Sequence, residues 1–238
     1  SQNTAIGRQA LGDSTTANNN TAVGFHALLL NTTGVANVAV GANALDANTT
    51  ANSNVAIGFA ALTANTTGAS NVALGREALG TNTTASNNTG IGHNALLSNT
   101  TGAENVAVGS LASDANTTGN QNTSLGYKSL SANTTGSNNV AIGKDALQEN
   151  TTADKNTAVG ANALAANTTG TQNIAVGTNS LDGNTTANNN IAIGYDAMGV
   201  NTTGAMNVAI GSYALDANTT ATVSYTHLRA HETEADIV

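Results

Sequence analysis

Apolar and polar positions alternate over short runs bounded by Asn and Gly. In "NVAVG" (Asn37 to Gly41), Val38 and Val40 lie on one face and Asn37 and Ala39 on the other, the period-2 pattern of a β-strand. Thr, Val, Ile, Asn and Gly all disfavour helix. A second apolar element, an Ala-Leu pair, follows each run. Segments such as "REALG" and "KDALQEN" would tolerate a helix, but the space before Asn-Thr-Thr allows barely one turn. The pair is therefore expected to be a second strand or its approach.

These runs recur at one fixed interval. Gly7, Gly24, Gly41, Gly58 and their successors to Gly211, each seventeen positions after the last, mark thirteen copies from Asn3 to about Val223, without one insertion or deletion. The unit is N-[TVI]-A-[VIL]-G-x-x-A-L-x-x-N-T-T-[GA]-x-x. Its first Asn and both Thr recur in all 13 copies, the second Asn fails only at Ser14, and the Leu yields only to Ser113 and Met198. Ser1 and Gln2 fill the last two positions of a preceding copy, so the repeat domain, residues 1–223, opens mid-repeat.

A fixed short period signals a solenoid, in which one unit cannot bury its apolar face alone and stacks on its neighbours. The unit is too short for a helix pair and does not fit a hexapeptide β-helix, whereas two short strands and two turns do fit. The expected fold is all-β, a parallel β-solenoid (β-roll) of thirteen coils, about 60 Å long at ~4.8 Å per coil. Insertions are excluded because each coil must match its neighbour's hydrogen bonds residue for residue. The residue before each Gly and the later Leu are expected to be buried, with Asn and Thr in stacked columns at the turns, where Asn tolerates left-handed backbone and amides bond along the stack. The small Ala and Gly column on the other strand face would suit close packing of one chain against identical chains. Asp145 is expected to stack on Lys128 one coil below.

Composition narrows the function. Charged residues are 8% and aromatics 3%, and Pro, Cys and Trp are absent, which leaves a thin core and no thiolate chemistry. The net charge of −8 with only six Lys and Arg argues against nucleic acid as a partner. No apolar run reaches the length of a membrane span, so no membrane insertion is expected. The two His of the repeats, His26 and His93, stand four coils apart, and Asp46, Asp114, Asp182 and Asp216 share a column with at least two coils between members. A solvated face is expected there, with no metal and no cofactor. No nucleophile, base and acid come together and no Gly-rich loop opens a helix, so no enzyme is expected. The twelve "NTT" strings match the glycosylation sequon, and turn geometry explains their regularity.

The strings "NVAVG", "NVAIG" and "NIAIGYDAM" resemble the "SVAIG" unit of the heads of YadA-type trimeric autotransporter adhesins across all thirteen copies. That resemblance implies a left-handed roll and a homotrimer. The family's common unit is shorter, and the inserted "NTT" is similar to repeats of long phage tail fibres and bacterial surface proteins. After Ala221 the pattern stops. Val223 to Thr233, "VSYTHLRAHET", resembles one reading frame of a transposase sequencing adapter, which would make residues 224–238 a non-repeat tail read through from a metagenomic fragment and belonging to no coil.

The variable pair after each Gly should face outward, and it holds Phe25, Phe59, Tyr127, Tyr195 and Tyr213, a candidate surface-binding column. Cations of the same column neighbour these rings one coil away, and cation–π stacking is the competing explanation. The expected function is a structural and adhesive module of a surface adhesin or phage tail fibre, outside the cell or on a virion tail, with a host-cell or extracellular-matrix receptor as partner. The alternative is an ice-binding solenoid built on its Thr columns.

Overall fold

The computed structural model describes residues 2–222 and the backbone of 226–228. Each copy supplies one three-residue strand, from β1 (Thr4–Ile6) to β13 (Val208–Ile210). All strands lie in one parallel sheet in chain order, so the all-β solenoid expected from the period is the fold observed. The pairing is copy on copy: Val38 faces Val55, Ala39 faces Ala56 and Val40 faces Ile57. A further strand, β14 (Thr226–Leu228), pairs on β13 with Thr226 opposite Val208, one residue out of the repeat's register. The other residues of the expected tail, 224–225 and 229–238, lie outside the described residues.

Two expectations need correction. First, there is no second strand among the described residues of any coil: the Ala-Leu segment is a run of turns. Leu28 and Leu45 hold φ of 55° and 54°, in the left-handed region, as do the residues two places before them, His26 and Asn43. Alternating hand curls the backbone where a strand would run straight. The stack nevertheless continues through these turns, since the Leu28 N–H donates to Ala44 O at 3.0 Å and the Leu45 N–H to Ala61 O at 2.9 Å.

Second, the strand's faces are reversed. Ala39, Ala56 and Ala73 are fully buried inside the coil, whereas Ile57, Leu74 and Leu125, each the residue before Gly, are 37%, 43% and 46% exposed. The coil is so thin that its interior holds one Leu, from the later Ala-Leu pair, and small Ala side chains around it. A branched residue on the inner strand face would collide with that Leu, so alternation sends Val, Ile and Leu outward. The later Leu is buried as expected, from Leu28 to Leu181.

Two Asn columns hold the register. At the first, the Asn20 Oδ1 accepts the Asn37 backbone N–H of the next coil at 2.9 Å, and its Nδ2 donates across its own coil to Gly34 O at 2.9 Å. At the second, the Asn31 Nδ2 donates to the same Gly34 O at 3.0 Å, and its Oδ1 accepts the Asn48 Nδ2 at 2.8 Å. Both sites are closed to solvent. The first Thr of each "NTT" adds a bond of its own: the Thr32 N–H and Oγ1 both donate to Thr49 O, at 2.9 and 3.0 Å. The invariant Gly has a separate cause. Its φ is +134° at Gly92, where a Cβ would stand 2.5 Å from Gly109 O in the coil above.

One place breaks the core in two. The apolar cluster that runs from Leu11 to Ala112 is separate from the one that runs from Leu130 to Ala214. Between them Ser113 occupies the Leu column and Ser124 the inner Ala column, and their hydroxyls bond to each other at 2.9 Å. The pair is satisfied, but it replaces the largest core side chain of that coil. Ser113→Leu combined with Ser124→Ala is expected to rejoin the clusters and stabilise the rod by about 2 kcal/mol, measured by chemical denaturation. Ser113→Leu alone should gain less, because the Ser124 hydroxyl then keeps only its longer bond to Val106 O, at 3.4 Å.

Candidate interaction surfaces

Three columns of side chains face outward along the rod. The first is the strand face itself, with two side chains per coil: a Val, Ile or Thr that opens each strand and a Val, Ile or Leu that closes it. It runs without a polar break other than Thr over all thirteen repeat strands. Its members are half-buried or exposed, Val106 and Ile174 at 39% and 38% among them. Placing these residues in the core hides the strip from sequence reasoning, although the alternation that exposes it is plain in the sequence.

The second column is the position directly after each invariant Gly. Phe25, Phe59, Tyr127 and Tyr195 stand there, between 42% and 50% exposed. Tyr213 does not. It is one place further on, in the neighbouring column with φ 58°, and it meets Tyr195 edge-on at 5.3 Å between ring centroids. Arg8 lies over Phe25 at 5.7 Å and Arg76 over Phe59 at 5.9 Å, each pair one coil apart as expected. Tyr127 takes its cation from its chain neighbour Lys128 instead, at 5.6 Å. Lys128 and Asp145 share a column, but the Asp145 carboxylate pairs with Lys144 at 3.3 Å, the shorter reach.

A longer period is superposed on the basic unit in this column. Phe25, Phe59, His93, Tyr127 and Tyr195 fall on every second coil, with Ala161 as the single gap between them, while Arg8, Arg76 and Lys144 fall on every fourth. Asp46, Asp114 and Asp182 keep the same four-coil spacing. The signal is present in the sequence as a second, slower repeat.

The third column is the second Thr of "NTT". From Thr16 to Thr220 it is exposed in every copy, and among the described residues its hydroxyls find no partner. It forms a single rank. The Asn of each sequon, by contrast, is buried from Asn31 to Asn201 and bonded through its amide, as Asn31 is through both amide atoms, so the folded coil has no room for a glycan there.

The titratable groups are scattered. His26 Nε2 lies 2.6 Å from Gln9 Oε1 with its ring stacked on Phe25, and no three His or carboxylates converge among the described residues. Asn94 Oδ1 is buried without a partner among the described residues, and Leu111 follows it in the column. Burial raises the carboxyl of Asp182 above the ordinary range, and the Asp196 carboxylate in the coil above raises it further. Burial likewise raises Asp114, but the group above it is Lys128, which pulls the other way.

No family model matches the chain, nor does any curated protein or solved structure.

The raised carboxyl fixes a sign. Ionised Asp182 is less favourable in the folded rod than in the unfolded chain, so it weakens folding above its folded pKa and has no effect below the ordinary value of 3.8. Asp182→Asn is therefore expected to stabilise the rod at pH 7 and to leave it unchanged at pH 3. Denaturation midpoints across that range measure the difference.

Proposed function

We propose that this chain is a non-enzymatic structural and adhesive module, a rigid rod or head of a bacterial surface adhesin or phage tail fibre, assembled as a homotrimer outside the cell or on a virion tail. The observation that carries this reading is the outward strand face. Thirteen coils at ~4.8 Å and a strip about 10 Å wide make roughly 600 Å² of surface, mostly branched apolar side chains with Thr opening five of the strands, toward the upper end of what a monomer leaves in water.

A second copy of the same chain fits that strip best. Its columns have the same rise, so a parallel copy matches coil for coil along the whole length, which no partner of different period would do. Three copies turned onto a common axis remove every strip from water, and the resemblance to YadA-type heads supports three. Stacking without insertion gives length and stiffness, since each coil is fixed by its two neighbours. Contact with a host-cell or matrix receptor then falls to the side of each chain that faces away from the axis.

The ice-binding alternative draws on the exposed Thr column, whose hydroxyls serve no bond among the described residues. One rank of Thr gives a lattice in one direction only, so thermal hysteresis is expected to be absent.

Light scattering on the purified chain tests the assembly. A mass of three times 23.4 kDa is expected. Leu74→Glu combined with Leu125→Glu, at positions already 43% and 46% exposed, is expected to give single chains with an unchanged circular dichroism spectrum. A wild-type monomer, or a variant that keeps the full mass, overturns the reading.

A further inference from the structure

The geometry points to the ring column as a track for a neutral, extended β-1,4-linked polysaccharide, lying along the rod axis with one ring for every two sugars. This inference rests on the adhesive reading above and names its ligand class.

Three observations carry it. First, the coil does not require a ring at this position, although the rings present meet neighbouring side chains, as Phe59 meets Arg76 and Tyr195 meets Tyr213. The position after the Gly is outside the left-handed set and faces away from the Leu column, so Ala42 and Ser110 fill it without consequence in other coils. Aromatic character is nevertheless kept in Phe25, Phe59, His93, Tyr127 and Tyr195 while the ring type changes. Second, the spacing is two coils, about 9.6 Å. In an extended β-1,4-linked glycan alternate sugars are flipped, so the same face of the chain recurs once per disaccharide, at nearly this interval. A flat sugar face of C–H groups laid on an aromatic ring is a favourable contact because the ring's face is electron-rich.

Third, the column is close to neutral. The Arg76 guanidinium is held by Glu77 at 3.1 Å and the Lys144 ammonium by Asp145 at 3.3 Å, so these cations in the track arrive already paired. With a net charge of −8 on the whole chain, an acidic glycan would be repelled and a neutral one would not. Beside the rings, the next column offers planar polar groups, Gln9, Asn43, Asn162 and Asn179 among them, to meet sugar hydroxyls. Their left-handed backbone alone favours Asn there, so the rings and their interval carry the assignment.

Calorimetric titration of the full chain with cellohexaose and chitohexaose tests the inference, with maltohexaose, whose α-linkages curl it off a straight track, as the control. Binding of at least one β-linked hexamer is expected, stronger than that of its tetramer, and at least tenfold tighter than that of maltohexaose. Phe59→Ala with Tyr127→Ala should weaken binding by about fivefold per ring removed, and Phe59→Tyr should restore the contribution of that ring. Absence of binding at millimolar ligand, equal binding of maltohexaose, or ring variants that bind like the wild type would each overturn it. So would ring variants that lose the assembled mass together with binding, since the rings would then serve contacts between copies. If the mass is kept and no glycan binds, the scaffold reading stands and the glycan reading falls.

Discussion

Every coil of this rod depends on the amide side chains of two Asn columns. A backbone that turns through positive φ again and again in each coil leaves N–H and C=O groups pointing inward, where water cannot reach them and where no strand pairs them. The carbonyl before the last two residues of each unit is the clearest case, since Gly34 O accepts from both Asn20 and Asn31. The Asn amide carries a donor and an acceptor on separate atoms, so one side chain can bond within its coil and to the next at once. Asp would bring two acceptors and a buried charge, and Ala at the first column would leave the next coil's N–H unmade, a cost comparable to what a thin coil gains from its one Leu. The same bonds join each coil to the next at one fixed offset, so the repeat tolerates substitution at its surface and no change in length.

From that constraint the exposed face follows. Because the Asn clamps and the left-handed Leu turn fix a narrow interior, the strand can turn only Ala, Gly or Ser inward, as Ala39, Gly90 and Ser124 do. The period of two then obliges Val, Ile and Leu to face out. The apolar material that an ordinary domain would use to stabilise itself is on the outside of this one, and a single chain gains little from it. The proposed assembly on that strip would complete a core that one coil is too thin to contain.

The parallel solenoid, its coil length and its buried Leu column were legible in the sequence because they follow from periodicity, which any stacked structure must display. The inner and outer strand faces were not, because the usual assumption that the larger apolar side chain lies inside fails when the interior is set by other residues. The second strand failed for a related reason: "ALDAN" and its equivalents have nothing in their composition to announce left-handed φ at a Leu, and only the stacked N–H to Ala carbonyl bonds make that conformation tolerable. Of the candidate site, the ring column was legible as exposed aromatics. Tyr213 falls outside it because the two outward positions after Gly differ in backbone hand, which spacing alone does not reveal.

The contrast between the two periods separates structure from use. Most of what recurs from coil to coil has a bond or a close approach to explain it: the Asn clamps, with Ser14 the one departure, the first Thr on the next coil's carbonyl, the Gly that no Cβ could join. The ring, cation and carboxylate positions recur on every second or fourth coil, intervals that no contact within a coil or between adjacent coils requires. A stack of identical coils has no means of distinguishing even coils from odd ones, so an alternation carried by exposed side chains must come from descent through a longer duplicated unit, from something outside the chain, or from both. Duplication accounts for the interval but not for the chemistry, since drift at an unconstrained surface position would scatter Phe, His and Tyr among the polar and small residues that fill the odd coils. The second Thr of "NTT" is the converse case: it keeps the one-coil period of a structural residue while facing water with no partner among the described residues.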